Sequence, residues 1–205
     1  MSDVPVSHQS DDTPLIARAQ AGDLAAFDEL VLRHQREVFA VALRMLGDQD
    51  EAKDVSQDVF VRAYQGIRSF RGEAKLSTWL VSITINLCRN QRRWWARRRR
   101  FIVASLDEPV GTGRSGFGEE GALGHDVADP SPTPAMAAER SERQQQLVAL
   151  LLRLDEADRE VIVLRDLQGH SYEEIAKMLG CRLGTVKSRL NRARLHLRAL
   201  LDGKL

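Results

Sequence analysis

Apolar residues recur at helical spacing along most of the chain, whereas runs that would indicate β-strands are few. Six stretches carry this helical pattern: residues 14–45, 50–67, 77–100, 137–154, 156–167 and 171–201. The pattern is broken at Gly22–Asp23 and Gly47–Asp48, and Ser77 and Asp155 are predicted to be helix N-caps. The sequence therefore predicts an all-α protein.

The composition divides these helices into two domains, covering residues 14–100 and 136–205. Residues 1–13 are short and polar, and we predict a disordered tail there. Residues 101–135 contain six glycines, four prolines and an excess of acidic residues, which predicts a flexible acidic linker. The G-x-G-x-x-G at residues 111–116 does not indicate a nucleotide site, because no strand precedes it.

The stretch from Ser171 to Leu201 has the pattern of a helix-turn-helix. Ser171 and Glu174 match a capping box, and Gly180 is predicted to end the short first helix. Val186 begins the apolar stripe of a second helix whose other faces are basic. The capping box, the glycine turn and the basic faces of the second helix all agree with a helix-turn-helix. We therefore favour this motif over an ordinary amphipathic helix pair with a solvated basic face.

The net charge of +1 conceals an alternation along the chain. Residues 1–70 carry 7 basic and 12 acidic side chains, and residues 71–100 carry 9 and 1. Residues 101–160 carry 5 and 12, and residues 161–205 carry 9 and 4. Two basic blocks separated by acidic ones predict two polyanion-binding surfaces and a partner of a different kind.

The first basic block is an arginine tract with aromatic residues inside it. Seven arginines lie between Arg89 and Arg100, next to Trp94 and Trp95. Asn86, Asn90 and Arg93 share one face of the predicted helix. Such a tract is sometimes only a soluble helix end, but aromatic and amide groups beside arginine suit unpaired bases.

An acidic face is predicted on the helix over residues 50–67, where Asp50, Asp54 and Asp58 recur every four residues beside Gln57. Aligned carboxylates repel one another, so helix stability alone does not explain them. They form either a solvated face or a docking surface for a basic partner. A calcium loop is excluded, because the required glycine and later glutamate are missing.

The sequence contains no pattern of a catalytic centre, a metal site or a cofactor site. The five histidines lack metal-ligand spacing, and His34 reads as a partly buried structural residue. Two cysteines, Cys88 and Cys181, favour a reducing compartment over a disulfide scaffold. The longest apolar run is too short to span a membrane, so we expect a cytoplasmic protein without membrane insertion.

Three stretches resemble the extracytoplasmic-function (ECF) group of bacterial sigma factors. They are Asp50–Tyr64, Ser69–Asn90 and Leu164–Arg194, in the order and spacing of that family. The resemblance implies that the chain binds core RNA polymerase and promoter DNA, and that an anti-sigma factor restrains it. The implied function is that of an alternative sigma factor responding to stress or to the cell envelope. The alternative is a promoter-binding helix-turn-helix regulator with a helical partner-binding domain.

The resemblance also assigns roles to individual residues. Asp54, Gln57 and Asp58 correspond to the surface that binds core polymerase. Four residues correspond to the part of the family that acts at the −10 element, where DNA is opened and a base is flipped out. They are Phe70, Asn86, Asn90 and Arg93, and we expect Phe70 to be exposed.

The second helix of the C-terminal motif corresponds to the part of the family that contacts the −35 element. Lys187, Ser188, Asn191 and Arg192 share one face, as contact with base edges in the major groove requires. Arg182, Arg189 and Arg194 are expected to contact phosphates. Arg182 stands where relatives commonly have proline, and Asn191 stands where some have an aromatic residue.

Overall fold

The computed structural model describes residues 11–105 and 134–203. Within these ranges the chain forms eight α-helices and no strand. The helices are α1 (Thr13–Gln20), α2 (Leu24–Leu46), α3 (Gln49–Gly66), α4 (Leu76–Ser105), α5 (Pro134–Leu152), α6 (Glu156–Ile162), α7 (Tyr172–Leu179) and α8 (Leu183–Leu201). None of these helices has both the length and the apolarity that crossing a bilayer requires.

The helix boundaries follow local capping signals. The Asp23 carboxylate accepts the backbone N–H of Ala26 at the start of α2, and that of Asp48 accepts two N–H groups at the start of α3. Gly47 ends α2 with φ of 83°, which favours glycine. The breaks predicted at Gly22–Asp23 and Gly47–Asp48 are thus confirmed, but Ser77 is not an N-cap, because α4 already begins at Leu76.

Three other boundaries differ from the sequence prediction. The tail was predicted to extend to residue 13, but Asp12 is bound to His34 and α1 begins at Thr13. Helix α4 continues to Ser105, five residues into the predicted linker, and α5 begins at Pro134. The rest of that linker, residues 106–133, lies outside the described residues, as do residues 1–10.

The helix predicted over residues 156–167 is interrupted. Helix α6 ends at Ile162, and Val163–Leu167 form a π-helical turn. The backbone N–H of Gln168 donates to the carbonyl of Val163 at 3.0 Å, five residues earlier. Asp155 occupies the N-cap position of α6 without a side-chain capping bond.

Apolar stripes on the helices build a core in each part of the chain. The predicted stripe of α3, with Val55, Val59 and Ala63, is buried against α2 and α4. In the C-terminal part, Ile175 of α7 and Val186 of α8 are fully buried. Each such aliphatic side chain contributes about 1.5–3 kcal/mol when it is removed from water.

The two predicted domains are packed against each other. Helices α5 and α6 contact α2, and α7 contacts α4. Leu152 lies over Gly47 so closely that a Cβ atom added to that glycine would be 2.3 Å from its Cδ1 atom. Arg89 of α4 binds Glu160 of α6 through both carboxylate oxygens, and Arg159 donates to the carbonyl of Met45 at 2.7 Å.

Candidate nucleic-acid and partner-binding surfaces

The acidic face of α3 is exposed as the sequence predicts. Asp54, Gln57 and Asp58 all lie on the solvent side, because Val55 and Val59 hold the opposite side in the core. Positions separated by three and four residues are neighbours on a helix surface, so these side chains form one patch of hydrogen-bond acceptors. The patch has the chemistry to bind a basic helical partner.

Phe70 is half-buried rather than exposed, which corrects the sequence expectation. Its ring packs on Trp79 of α4, with ring centroids 5.1 Å apart. The side-chain amide of Gln20 donates to the carbonyls of Ile67 (3.0 Å) and Phe70 (2.8 Å), which attaches the segment over residues 67–70 to α1. The aromatic pair is thus held in place before any ligand binds.

Helix α4 brings Trp79 into line with three of the predicted nucleic-acid residues. Asn86, Asn90 and Arg93 are exposed, and they follow Trp79 by 7, 11 and 14 positions. At about 100° per residue these positions fall within roughly 60° of one another around the helix. Phe70, Trp79 and the two amides therefore lie along one side of α4, although Trp79 was not singled out from the sequence.

Further along α4, two aromatic rings remain accessible for stacking. Trp94 and Trp95 are 43% and 36% exposed, and their ring centroids are 4.8 Å apart in an edge-to-face arrangement. The guanidinium of Arg98 lies 5.1 Å from the Trp94 ring centroid. Exposed aromatic faces next to arginine are typical of surfaces that bind single-stranded nucleic acid.

The helix-turn-helix predicted from the sequence is present in α7 and α8. The Ser171 hydroxyl accepts the N–H of Glu174 at 3.2 Å, and the Glu174 carboxylate accepts the N–H of Ser171 at 2.8 Å. The backbone N–H of Ser171 holds the pKa of Glu174 below its usual value. Gly180 ends α7 with φ of 61°, and the buried Val186 fixes α8 beneath it. This geometry presents α8 as a helix able to enter a major groove.

The outer side of α8 carries most of the residues predicted to contact DNA. Arg182, Lys187, Ser188 and Asn191 are exposed, whereas Arg189 is half-buried. Arg182 occupies the N-cap position but makes no side-chain capping bond. The exposed set combines short polar side chains with cations, which suits base edges flanked by phosphates.

Arg192 and Arg194 are bound to carboxylates, which the sequence did not indicate. The Nε atom of Arg192 donates to Asp158 at 2.8 Å, and its Nη2 atom binds the other oxygen of that carboxylate. Arg194 binds Asp166 in the same way, at 3.0 Å and 2.5 Å. The hydrogen bonds with these carboxylates raise the pKa of each arginine above its usual value.

The remaining ionisable groups fit structural roles. His34 binds Asp12 at 2.8 Å, and its other ring nitrogen lies 3.7 Å from Glu37. Burial alone would lower the pKa of His34, but these two carboxylates outweigh burial and raise it. In the part of the chain that the structure describes, no cluster of histidine, cysteine and acidic side chains could hold a metal ion.

Comparison with known proteins accounts for both halves of the chain. The family model described as "Sigma-70 region 2" matches residues 30–100, and that described as "Sigma-70, region 4" matches residues 144–197. The RNA polymerase sigma-H factor of Pseudomonas aeruginosa is 34% identical over 91% of this chain and 91% of its own length. The ECF RNA polymerase sigma-E factor of Escherichia coli is 33% identical over 92% and 93%.

Solved structures give the same result. CnrH in complex with the cytosolic domain of CnrY superposes with a TM-score of 0.64 and 29% identity, covering 96% of this chain and 100% of that one. The sigma factor RpoE of Bartonella quintana, in complex with the anti-sigma factor NepR, gives a TM-score of 0.62 and 28% identity, covering 86% and 96%. The chain therefore belongs to the extracytoplasmic-function group of the sigma-70 family of RNA polymerase sigma factors.

Proposed function

We propose that this chain binds core RNA polymerase in the cytoplasm and directs it to promoters that carry −35 and −10 elements. The observation that carries the proposal is the side of α4 on which Phe70, Trp79, Asn86 and Asn90 are aligned. Stacking surfaces beside exposed amides suit an unpaired base, and a protein that binds only duplex DNA does not need them. A sigma factor needs them because it opens the duplex, whereas the alternative of a helix-turn-helix regulator leaves this side of α4 unexplained.

Core polymerase is proposed to bind the acidic patch of α3. Asp58→Arg combined with Gln57→Ala removes acceptors and adds a like charge for a basic partner, so affinity for core enzyme should fall at least about tenfold. Asp28→Arg on the exposed side of α2 is the matched control and should have little effect. A titration of labelled protein with core enzyme measures both. Equal affinity for all three proteins would refute this site.

The aligned residues of α4 are proposed to act in opening the −10 element. Extracting a base costs a few kcal/mol of stacking and pairing, which Phe70 and the amides of Asn86 and Asn90 would repay. Asn86→Ala should therefore reduce permanganate reactivity of the −10 thymines, and a pre-melted template should partly restore transcription. Gln91→Ala, about 140° around α4 from Asn86, serves as control. Normal reactivity in the Asn86 variant would exclude this role.

Helix α8 is proposed to contact the −35 element. Lys187, Ser188 and Asn191 are positioned for base edges, with Arg182 and Arg189 on flanking phosphates. Losing a phosphate contact should weaken binding to every sequence alike and reduce the salt dependence by about one unit. Arg182→Ala tests this in holoenzyme binding at two salt concentrations, and a sequence-dependent loss would contradict it.

An anti-sigma factor is proposed as the regulatory partner. The Bartonella RpoE is seen in complex with the anti-sigma factor NepR, and CnrH is seen in complex with the cytosolic domain of CnrY. These two structures cover most of this chain at 28–29% identity. A partner that restrains the chain should compete with core enzyme for it. Copurification from cells, followed by addition of core enzyme, tests this, and a partner that binds simultaneously with core would argue against restraint.

A further inference from the structure

Asp158 and Arg192 form an ion pair of unequal exposure. The Asp158 side chain is 2% exposed, whereas the side chain of Arg192 is 63% exposed. The pair joins α6, which lies outside the helix-turn-helix, to the helix that carries the residues proposed to contact bases. The carboxylate is too deeply buried to contact DNA itself, so any effect it has on DNA passes through Arg192.

The pairing leaves part of the Arg192 guanidinium free to act. A guanidinium carries five N–H donors, and Asp158 engages the Nε–H and one N–H of Nη2. The other three N–H groups lie on Nη1 and on the far side of Nη2. Two of these, one on each Nη atom, form a second pair of parallel donors of the kind that binds the O6 and N7 atoms of guanine. Arg192 follows Ser188 by four residues, so it shares a face of α8 with an exposed base-contacting candidate.

We propose that Asp158 is a positioning residue that fixes Arg192 for contact with a guanine edge in the −35 element. This inference rests on the proposed function of α8. A guanidinium held in one orientation before binding loses less side-chain freedom when it meets a base. Its paired carboxylate also offsets part of the positive charge, which favours an edge with defined acceptors over any nearby phosphate. Leaving a buried carboxylate unpaired is costly, so the pair persists when DNA binds.

The second ion pair on α8 provides a matched control. Arg194 binds Asp166 through the same two-bond arrangement, but the Asp166 side chain is 31% exposed. Breaking an ion pair with an exposed carboxylate costs little free energy, so Arg194 can leave Asp166 to bind a phosphate. Asp166 should therefore not affect which bases α8 contacts. The two aspartates therefore bind arginines of the same helix by the same chemistry, with different expected consequences.

The test is binding of holoenzyme to promoter fragments in which every −35 base pair is varied in turn, at two salt concentrations. Asp158→Asn should reduce discrimination at one or two adjacent positions by about tenfold, and leave the other positions unchanged. Arg192→Ala should flatten the same positions, and the double variant should be no worse than Arg192→Ala alone. Asp166→Asn should leave discrimination unchanged at every position.

Arg192→Lys keeps α6 untouched and guards against a folding defect in the Asp158 variant. Lysine keeps the charge but cannot make the two-bond contact, so this variant should lose discrimination at the same positions as Asp158→Asn. The proposal is overturned if Asp158→Asn weakens all sequences equally, or if its effect adds to that of Arg192→Ala. Loss of all −35 discrimination by the unaltered holoenzyme would instead refute the proposed function of α8.

Discussion

Arg159→Met should destabilise the protein more than any other single loss of charge in the part of the chain described by the structure. Arg159 is 1% exposed, and its guanidinium donates to four backbone carbonyls. The acceptors are Leu151 (2.8 Å), Met45 (2.7 Å), Leu152 (3.1 Å) and Leu154 (3.0 Å). Three of them close the C-terminal end of α5, where an α-helix leaves carbonyls without partners.

The size of the effect follows from which carbonyls water can reach. Met45 and Leu154 are buried, so their carbonyls stay unsatisfied at about 1–3 kcal/mol each. The carbonyl of Leu151 keeps the backbone N–H of Leu154 at 3.1 Å, and Leu152 is at the surface. Burial lowers the pKa of Arg159 to about 10, so the side chain is charged at neutral pH and its removal relieves part of a desolvation cost. The net expected loss is about 3–5 kcal/mol, a large part of the stability of a typical domain.

Urea unfolding followed by far-UV circular dichroism measures this loss on the full chain. Arg62→Met on the exposed side of α3 is the control and should change the unfolding free energy by less than about 0.5 kcal/mol. If Arg159→Met lowers the free energy of unfolding by less than about 1 kcal/mol, then the buried carbonyls have another partner and the reasoning fails.

Three further predictions follow from other groups. Because the pKa of His34 is raised in the folded protein, the stabilisation that His34 provides is full below pH 6.5 and is lost as the pH rises through the folded pKa. The difference in unfolding free energy between the protein and His34→Gln should therefore shrink from pH 5.5 to pH 9. A constant difference would contradict this. Burial raises the pKa of Cys88 to about 12, so native protein at pH 8 should be alkylated only at Cys181. Denatured protein should be alkylated at both cysteines. Rapid alkylation of Cys88 in the native protein would disprove its burial. Gly47→Ala should push the C-terminal domain away from the N-terminal one and enlarge the radius of gyration measured by X-ray scattering. Gly22→Ala is equally strained, but no atom lies within 4 Å of its added Cβ, so the radius should not change. Equal radii of gyration for the two variants would show that this contact does not hold the domains together.

Local signals in the sequence were sufficient to predict much of the fold. The capping box of Ser171 and Glu174, the left-handed glycine at Gly180 and the buried Val186 each depend on residues a few positions apart. The exposed face of Asp54 and Asp58 follows from the period of the apolar residues between them. These features are confirmed because a helix relates neighbouring positions by a fixed rotation.

The features that sequence reasoning missed depend on partners far along the chain. Sequence reasoning did not single out Asp158, Arg159 and Glu160. All three are buried because their partners lie on α8, α5 and α4. Phe70 reads as exposed because nothing in its own loop indicates that Trp79 packs beneath it. No periodicity in a single segment encodes such contacts, and a charged residue is buried only where a distant group pairs with it.

Because the two domains are packed together, their combined diameter can be compared with the distance between the −10 and −35 elements of promoter DNA. A compact body formed by residues 11–105 and 134–203 has a radius of gyration of about 15 Å and is thus roughly 40 Å across. Elements centred near −10 and −35 are separated by about 25 base pairs, or about 85 Å at 3.4 Å per step. A single body of this size cannot reach both elements together. On a promoter the bonds from Arg159 to Met45 and from Glu160 to Arg89 must therefore be broken, so the free energy of that contact is subtracted from the affinity for DNA.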